Sequence, residues 1–230
     1  MQRFVSTGCG ALDKLLGGGL PISCVSLVYG EAETGKTSFA IQCAVSLARA
    51  GYNTIFVDSD GAFSTRRLSQ IAYYDVEKVA PMILLVRPTT FKEQTLVVDH
   101  LEEYVTDEVG LVAVDTVTSL YRVEVEAPET TFKLNRELNR QVASLAQTAK
   151  TLKVAVLMLS QVRSIFAEGR VGVEPVATRV LKFWSDVVIK LKDTGQPRVI
   201  EAVLEKRLGH KRPASCYLSI EKTGVREYKH

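Results

Sequence analysis

Short apolar runs alternate with segments of helical periodicity along the first two thirds of the chain. Between the runs, apolar residues recur three or four positions apart, which predicts helices over 36–50, 66–74, 91–104 and 131–152. The runs themselves are rich in branched and aliphatic residues and are predicted to be buried strands at 25–29, 53–58, 82–86, 110–115 and 154–159. Regular alternation of strand and helix indicates an α/β fold with a mainly parallel sheet covered by helices on both faces.

The pattern changes at about residue 186. Short alternating segments around a Thr-Gly-Gln-Pro turn predict strands near 187–192, 199–204 and 216–220, added to the same sheet as an antiparallel C-terminal extension. The sequence contains no Pro/Ser-rich linker, internal repeat or low-complexity tract. The simplest interpretation is a single domain over residues 1–230.

Composition narrows the class of protein. With 46% hydrophobic and 24% charged residues, the chain has the make-up of an ordinary globular domain. A net charge of +3 is too small to attract nucleic acid by a global field, so any such contact must come from local clusters. The four cysteines are scattered without a C-x-x-C pair, which favours free thiols in a reducing compartment. No signal peptide or membrane-spanning run is found, so we expect a soluble, cytoplasmic protein.

The strongest chemical signal is the segment Gly-Glu-Ala-Glu-Thr-Gly-Lys-Thr at residues 30–37, which matches G-x-x-x-x-G-K-[ST] between a predicted strand and a predicted helix. Its glycines allow successive backbone N–H groups to point at phosphate oxygens, beside the positive end of the helix dipole. Lys36 is expected to reach the β- and γ-phosphates, and the Thr37 hydroxyl to bind Mg²⁺. The sequence therefore predicts a site for ATP and Mg²⁺ formed by Gly30, Glu31, Ala32, Glu33, Thr34, Gly35, Lys36, Thr37 and Ser38.

Four further polar residues lie at or just after the ends of predicted strands, where ligands gather in open α/β sheets. Asp115 is placed to hold Mg²⁺ beside Thr37, although an aspartate at a strand end can also cap a turn. Asp60 is the candidate for orienting or deprotonating a water, while Asp58 is assigned to a turn or helix cap. Gln161 is placed to sense the third phosphate and to pass the difference to the loop that follows.

Taken in order, these stretches resemble the RecA/RadA recombinases, and most closely the archaeal RadB family. The resemblance begins at residues 6–19, includes 56–63, and covers nearly the whole chain. Three further segments are specifically RadB-like: 91–94, 136–141 and 203–206. The resemblance implies a RecA-like ATPase core in which Asp60 is the catalytic acid and Arg67 stacks on adenine.

The resemblance also implies a function. RadB-type proteins consist of the ATPase core without an N-terminal helix-hairpin-helix domain, hydrolyse ATP weakly, and bind DNA without efficient strand exchange. They are associated with the main recombinase RadA and with a Holliday-junction resolvase. We therefore expect an ATP-binding DNA repair and recombination protein. The alternatives are a regulatory ATPase of the same superfamily without DNA binding and, because no arginine-bearing lid insertion is found, less favourably a small-molecule kinase.

Two departures from the family pattern affect these expectations. The catalytic acid is normally glutamate, and Asp60 is shorter by one methylene, a displacement that can lower the rate by about 10²-fold. We therefore expect intact nucleotide binding and slow hydrolysis. The segment 122–129, which aligns with the first DNA-binding loop, carries three glutamates that would repel phosphate.

DNA contacts must then come from other basic residues. One group flanks or occupies the segment after Gln161, diluted by two glutamates, and the other forms the densest basic cluster, although lysine and arginine runs often lie in solvated turns. Contacts to phosphate would be independent of DNA sequence and sensitive to salt. The candidate DNA-binding residues are Arg163, Arg170, Arg179, Lys206, Arg207, His210, Lys211 and Arg212.

Overall fold

A computed structural model of the chain describes residues 4–125, 128–167, 170–207 and 214–228, with the backbone alone at 128–130, 163–167 and 170–175. The strands are β1 (Phe4–Val5), β2 (Leu20–Pro21), β3 (Val25–Gly30), β4 (Asn53–Asp58), β5 (Ile83–Val86), β6 (Val109–Asp115), β7 (Ala155–Ser160), β8 (Val162–Ala167), β9 (Arg170–Pro175), β10 (Val187–Asp193), β11 (Val199–Lys206), β12 (Ala214–Glu221) and β13 (Gly224–Glu227). The helices are α1 (Gly10–Leu16), α2 (Lys36–Arg49), α3 (Thr65–Ala72), α4 (Val76–Val79), α5 (Phe91–Asp99), α6 (Leu101–Tyr104), α7 (Ser119–Glu124), α8 (Pro128–Thr151) and α9 (Thr178–Trp184), with a 3-10 turn at Ala80–Met82.

One large sheet organises the described residues, in the strand order β13-β12-β11-β10-β3-β7-β6-β4-β5. The six strands from β10 to β5 are parallel to their neighbours, and β11, β12 and β13 are added antiparallel. This confirms the predicted α/β architecture with its antiparallel C-terminal extension. The parallel order brings the carboxyl ends of β3, β4, β6 and β7 to one edge, where the predicted site residues lie.

Helices cover both faces of the sheet, and the side chains of each buried strand point alternately to the two faces. On one face, Val28 of β3 packs in a cluster with residues of α1, α2 and α3. On the other, Leu27 and Tyr29 of the same strand pack with residues of α5 and α8. Every residue of β3 is buried, so the segment that follows it starts from a rigid support.

The structure corrects several expectations about individual elements. The helix predicted over 91–104 is two helices, because His100 has φ −96° and ψ 5° and leaves the helical conformation between α5 and α6. The segment predicted as a loop after Gln161 contains the antiparallel hairpin β8–β9, whose register pairs Val162 with Pro175. Helix α8 begins three residues before the prediction, at Pro128, since proline suits the first helical position. Among the described residues, no helix is long and apolar enough to cross a bilayer.

Candidate nucleotide-binding site

The segment between β3 and α2 has the backbone geometry of a phosphate-binding loop. A Cβ on Gly30 would lie 2.5 Å from the carbonyl oxygen of Leu191, so no side chain fits there. Gly35 precedes α2 with φ +82°, a conformation that costs glycine little. Both glycines of the motif are therefore required by geometry, and the N-terminus of the 14-residue helix α2 faces the cleft.

The side chain of Lys36 is folded into this loop. Its ammonium group donates hydrogen bonds to the carbonyl oxygens of Gly30 (2.9 Å) and Glu31 (2.6 Å). Burial lowers the pKa of Lys36, and this effect outweighs the opposing influence of Asp115, Asp60 and Glu31. The loop thus holds a desolvated cation beside its own backbone donors, as binding of a phosphate chain requires.

Asp115 lies at the end of β6 and is buried. Neither oxygen of its carboxylate forms a hydrogen bond of normal geometry with the part of the chain that the structure describes. Burial raises the pKa of Asp115 to about 6, and Asp60 and Asp58 act in the same direction. The Thr37 hydroxyl lies close enough to oppose that rise. A buried carboxylate with two free oxygens beside a hydroxyl fits Mg²⁺, which prefers oxygen ligands and retains waters and phosphate oxygens. Thr37 and Asp115 are thus the residues that would hold the ion.

Asp60 and Gln161 meet across the cleft, although they lie 101 positions apart. The Gln161 amide nitrogen donates to both oxygens of Asp60, at 3.2 and 3.3 Å. The backbone N–H of Asp60 donates to the carbonyl of Asp115 at 3.0 Å, which ties the end of β4 to that of β6. The cleft has a volume of about 600 Å³ and is lined by Lys36, Thr37 and all three of these residues.

Asp58 has the structural role assigned from the sequence. Its carboxylate accepts hydrogen bonds from the backbone N–H groups of Ala62 (2.9 Å) and Phe63 (3.3 Å) and from Arg87 Nε (3.0 Å). The carboxylate is fully buried, and Arg87 also donates to the Phe63 carbonyl. These contacts confirm that Asp58 holds the turn that presents Asp60.

Comparison with known proteins decides the family. The Rad51 family model matches residues 3–228. The chain belongs to the Rad51 family. It is 31% identical over 226 residues to "DNA repair and recombination protein RadB" of Methanococcoides burtonii, covering 98% of this chain and 99% of that protein. The protein of the same name from Thermococcus onnurineus is 31% identical over 227 residues, covering 97% of each chain.

A solved structure agrees with these relatives. The crystal structure of the RadB recombinase superimposes with a TM-score of 0.84 at 30% identity, covering 98% of this chain and all of that one. The match confirms the resemblance to archaeal RadB and the RecA-like fold. Membership of this family implies ATP binding.

Arg67 is held at the edge of this Rad51-family site. Its guanidinium donates to Ser38 Oγ (2.9 Å) and to the carbonyl oxygens of Lys222 and Glu221 (2.9 Å each). It also contacts Gln70. These bonds join α3 and the start of α2 to the turn between β12 and β13. Stacking of Arg67 on adenine remains a prediction.

The predicted DNA-binding residues have different environments. Arg179 is exposed on α9, whereas Lys206 donates to the carbonyl oxygens of Lys182 (3.1 Å) and Ser185 (2.5 Å). The guanidinium of Arg207 lies against Gly17, within 3 Å of where a Cβ would be. Lys206 thus supports the fold as well as carrying charge, and Arg207 packs against Gly17. The remaining candidates have side chains outside the described residues: Arg163, Arg170, His210, Lys211 and Arg212.

The acidic segment 122–129, which begins within α7, also has a structural role at one position. Glu124 accepts a hydrogen bond from the backbone N–H of Phe91 (3.2 Å), at the start of α5. The side chains of Glu126 and Glu129 lie outside the described residues. Glu124 therefore stabilises a helix N-terminus, where a carboxylate is favourable.

Sequence reasoning missed a buried polar pair that supports the site. Gln94 of α5 and Gln141 of α8 are fully buried and joined by a 2.8 Å hydrogen bond. Gln94 also donates to the carbonyl of Val117 (3.1 Å), two residues after Asp115. The sequence carried one signal of this pair, because each predicted helix has a glutamine on its apolar face. Buried polar groups are normally hydrogen-bonded, so two such glutamines can be expected to find partners.

Sequence reasoning also missed Arg122, which was read only as part of an acidic run. It lies on α7 and lines the same cleft as Lys36 and Asp60. Its guanidinium donates to Gln161 Oε1. No local pattern indicates this contact, because Arg122 and Gln161 are 39 positions apart and meet only through the sheet.

Proposed function

We propose that this protein acts in DNA repair and recombination by binding ATP with Mg²⁺ in the cleft and using the nucleotide state to control contact with DNA. The position of Gln161 carries this proposal. Its side chain faces Asp60 in the cleft, and the next residue begins the hairpin β8–β9. Its carbonyl accepts a hydrogen bond from Val176 (3.1 Å), so both ends of the hairpin meet at Gln161. A change at the terminal phosphate would reach the hairpin through one residue.

The residues of the cleft have distinct roles in this proposal. Mg²⁺, when bound, would neutralise phosphate charge and supply a Lewis acid for phosphoryl transfer. The loop N–H groups and Lys36 bind and orient the phosphate chain, and Thr37 and Asp115 supply oxygens for the ion. In hydrolysis the water oxygen bonds to the terminal phosphorus as the bond from that phosphorus to the ADP oxygen breaks, and Asp60 accepts the proton that the water loses. Gln161 holds the Asp60 carboxylate through its amide nitrogen.

Hydrolysis is slow in this proposal for two physical reasons. Asp60 is one methylene shorter than glutamate, so its carboxylate lies farther from a water at the terminal phosphate, and such displacement can cost about 10²-fold in rate. The hydrogen bonds from Gln161 to both oxygens of Asp60 also compete with the water for the carboxylate. The nucleotide therefore serves more as a bound signal than as a rapidly consumed fuel.

A second network connects the site to α9, the helix that follows the hairpin. The Tyr29 hydroxyl donates to Glu205 (2.7 Å), and Lys182 of α9 donates to the other oxygen of that carboxylate (2.7 Å). Tyr29 directly precedes Gly30, and its side chain is buried. This network would carry a change at the phosphate-binding loop to α9. The RadA recombinase and a Holliday-junction resolvase are the protein partners that we propose.

The test is DNA binding as a function of nucleotide state. Fluorescence anisotropy of a labelled single-stranded oligonucleotide is measured with Mg²⁺ and a non-hydrolysable ATP analogue, with MgADP, and without nucleotide, over a salt series. We expect sequence-independent, salt-sensitive binding whose affinity differs between the ATP analogue and ADP. ATP turnover is measured in parallel with and without DNA, and slow turnover is expected. Affinity that is the same in all three states would refute gating by nucleotide.

A second candidate is a regulatory ATPase of the same family that does not bind DNA. The internal bonds of Lys206 and Lys182 favour it, because a lysine bound to protein carbonyls or a carboxylate is less available for phosphate. The same measurement separates the two candidates. Tight ATP binding without DNA binding at low salt would support the regulatory ATPase.

A further inference from the structure

Arg122 lies between the nucleotide cleft and a second cleft beside it. Helix α7 starts four residues after Asp115, and the Ser119 hydroxyl donates to the carbonyls of Ser59 (2.9 Å) and Thr116 (3.2 Å). These bonds fix α7 against the ends of β4 and β6. Arg122 therefore projects from an anchored helix into the nucleotide cleft and lines an adjoining cleft of about 500 Å³.

The contact between Arg122 and Gln161 fixes the orientation of an amide. The Gln161 oxygen accepts from the Arg122 guanidinium, and its nitrogen donates to the Asp60 carboxylate. Reversing the amide would set its NH₂ group against a cation and its oxygen against an anion, so the two neighbours allow one orientation. The three side chains form a chain in the order Arg122–Gln161–Asp60, in which the cation holds the residue that faces the proposed base.

A phosphate group is the ligand that best fits this cation. Among the described residues that line the cleft, Lys36 and Arg122 are the cations, and Glu33, Asp60 and Asp115 are the anions. A nucleoside triphosphate adds negative charge at the terminal phosphate, whose oxygens match the planar guanidinium better than an amide oxygen does. Arg122 is exposed and can change partner at little cost, unlike the buried Lys36.

We propose that Arg122 binds the terminal phosphate of a triphosphate within the same chain and otherwise restrains Gln161. The inference rests on the proposed function and names the group that distinguishes ATP from ADP. With the triphosphate bound, the guanidinium leaves Gln161 Oε1 for a phosphate oxygen, and the amide is released from one of its two partners. With the diphosphate, Arg122 remains on Gln161. Nucleotide state thus determines how freely the side chain of Gln161 moves, one residue before the hairpin β8–β9 begins.

The test compares affinities for the two nucleotides in Arg122→Ala, Arg122→Lys and the control Arg136→Ala. Arg136 is exposed on α8 and does not line the cleft, so its replacement removes the same charge without touching the site. Isothermal titration calorimetry measures binding of MgADP and of Mg²⁺ with a non-hydrolysable ATP analogue.

We expect Arg122→Ala to weaken the ATP analogue by about ten- to a hundredfold and MgADP by less than about twofold, since one charge-assisted contact is lost in one complex only. Arg122→Lys should restore part of the difference, and Arg136→Ala should match the parent. Equal weakening of both nucleotides, or none, would overturn the role of Arg122 while leaving nucleotide binding intact. A parent protein that bound neither nucleotide would overturn the proposed function as well.

Discussion

Replacing Asp115 by asparagine should stabilise the metal-free protein and weaken its response to Mg²⁺ and ATP. The carboxylate is buried at the end of β6, and neither of its oxygens forms a hydrogen bond of normal geometry with the described residues. Its charge is therefore unfavourable for folding until a cation is bound. Asparagine has nearly the same shape and removes the charge, so the variant separates the cost of the charge from the packing of the side chain.

The magnitude follows from the pKa. A rise from 3.8 to about 6 means that the charged form of Asp115 destabilises the native state by roughly 3 kcal/mol well above pH 6. The amide of asparagine needs partners of its own, which reduces the gain by about 1–2 kcal/mol. We therefore expect Asp115→Asn to raise the free energy of unfolding by about 1–2 kcal/mol at pH 8.

The pH dependence has a definite sign. Because the native pKa lies above the unfolded one, the native state binds the proton more tightly between about pH 4 and 6. The unfavourable contribution of Asp115 is therefore absent below about pH 4, grows as the pH rises through 6, and is constant above about pH 7. The advantage of Asp115→Asn over the parent should shrink as the pH falls from 8 to 5.

Urea unfolding of both proteins with a chelator, at pH 8 and pH 5, measures these differences. Mg²⁺ and ATP are then added at pH 8, where the parent should gain more stability than the variant because it binds the ligands more tightly. The matched control is Asp58→Asn, which lies at the end of the neighbouring strand. Its carboxylate has three hydrogen-bond donors, so this variant should be destabilised by about 1–3 kcal/mol. An Asp115→Asn protein that is less stable than the parent at pH 8, or whose advantage does not change with pH, would refute the reasoning.

Three further predictions use other parts of the molecule. Asp60→Glu should raise kcat for ATP by about ten- to a hundredfold by restoring the missing methylene, and unchanged turnover would contradict this. Gln42→Ala should lower the free energy of unfolding by about 2–4 kcal/mol in urea titrations, because the N–H and C=O of Val225 lose their buried partner; a loss below 1 kcal/mol would count against it. Alanine in place of the lysines and arginines of 206–212 should weaken DNA binding and flatten its salt dependence, whereas unchanged anisotropy titrations would place the DNA site elsewhere.

The central strands were predictable because each is a short apolar run, and burial on both faces leaves that pattern little freedom. The phosphate-binding loop was predictable because its chemistry is local. Gly30, Gly35, Lys36 and Thr37 act within eight consecutive residues, and the structure shows that the backbone geometry needs both glycines. The location of Asp115 was likewise predictable, because it ends a strand and parallel strands bring their carboxyl ends to one edge of the sheet.

What could not be predicted depends on pairs that are distant in sequence. Arg87 pairs with Asp58 from 29 positions away, and Gln94 reaches Gln141 over 47 positions. The break at His100 was missed for a different reason: the apolar spacing on either side of it is nearly continuous, and a single residue that leaves the helix does not change that spacing. Periodicity reports which face is buried, but it does not report where backbone hydrogen bonding is interrupted.

The two buried charges of the site give the proposed nucleotide switch a source of free energy. Burial lowers the pKa of Lys36 and raises that of Asp115, so both ions are held in the protein at a cost. Their mutual attraction does not remove these shifts. Phosphate and Mg²⁺ bring the opposite charge to each residue, so part of their binding energy relieves a penalty already built into the fold. Because Asp60 and Gln161 line the same cleft, that relief acts at the residues that lead to β8–β9. Variants that neutralise Asp115 should therefore stabilise the chain and uncouple it from nucleotide, a combination that a purely structural role would not produce.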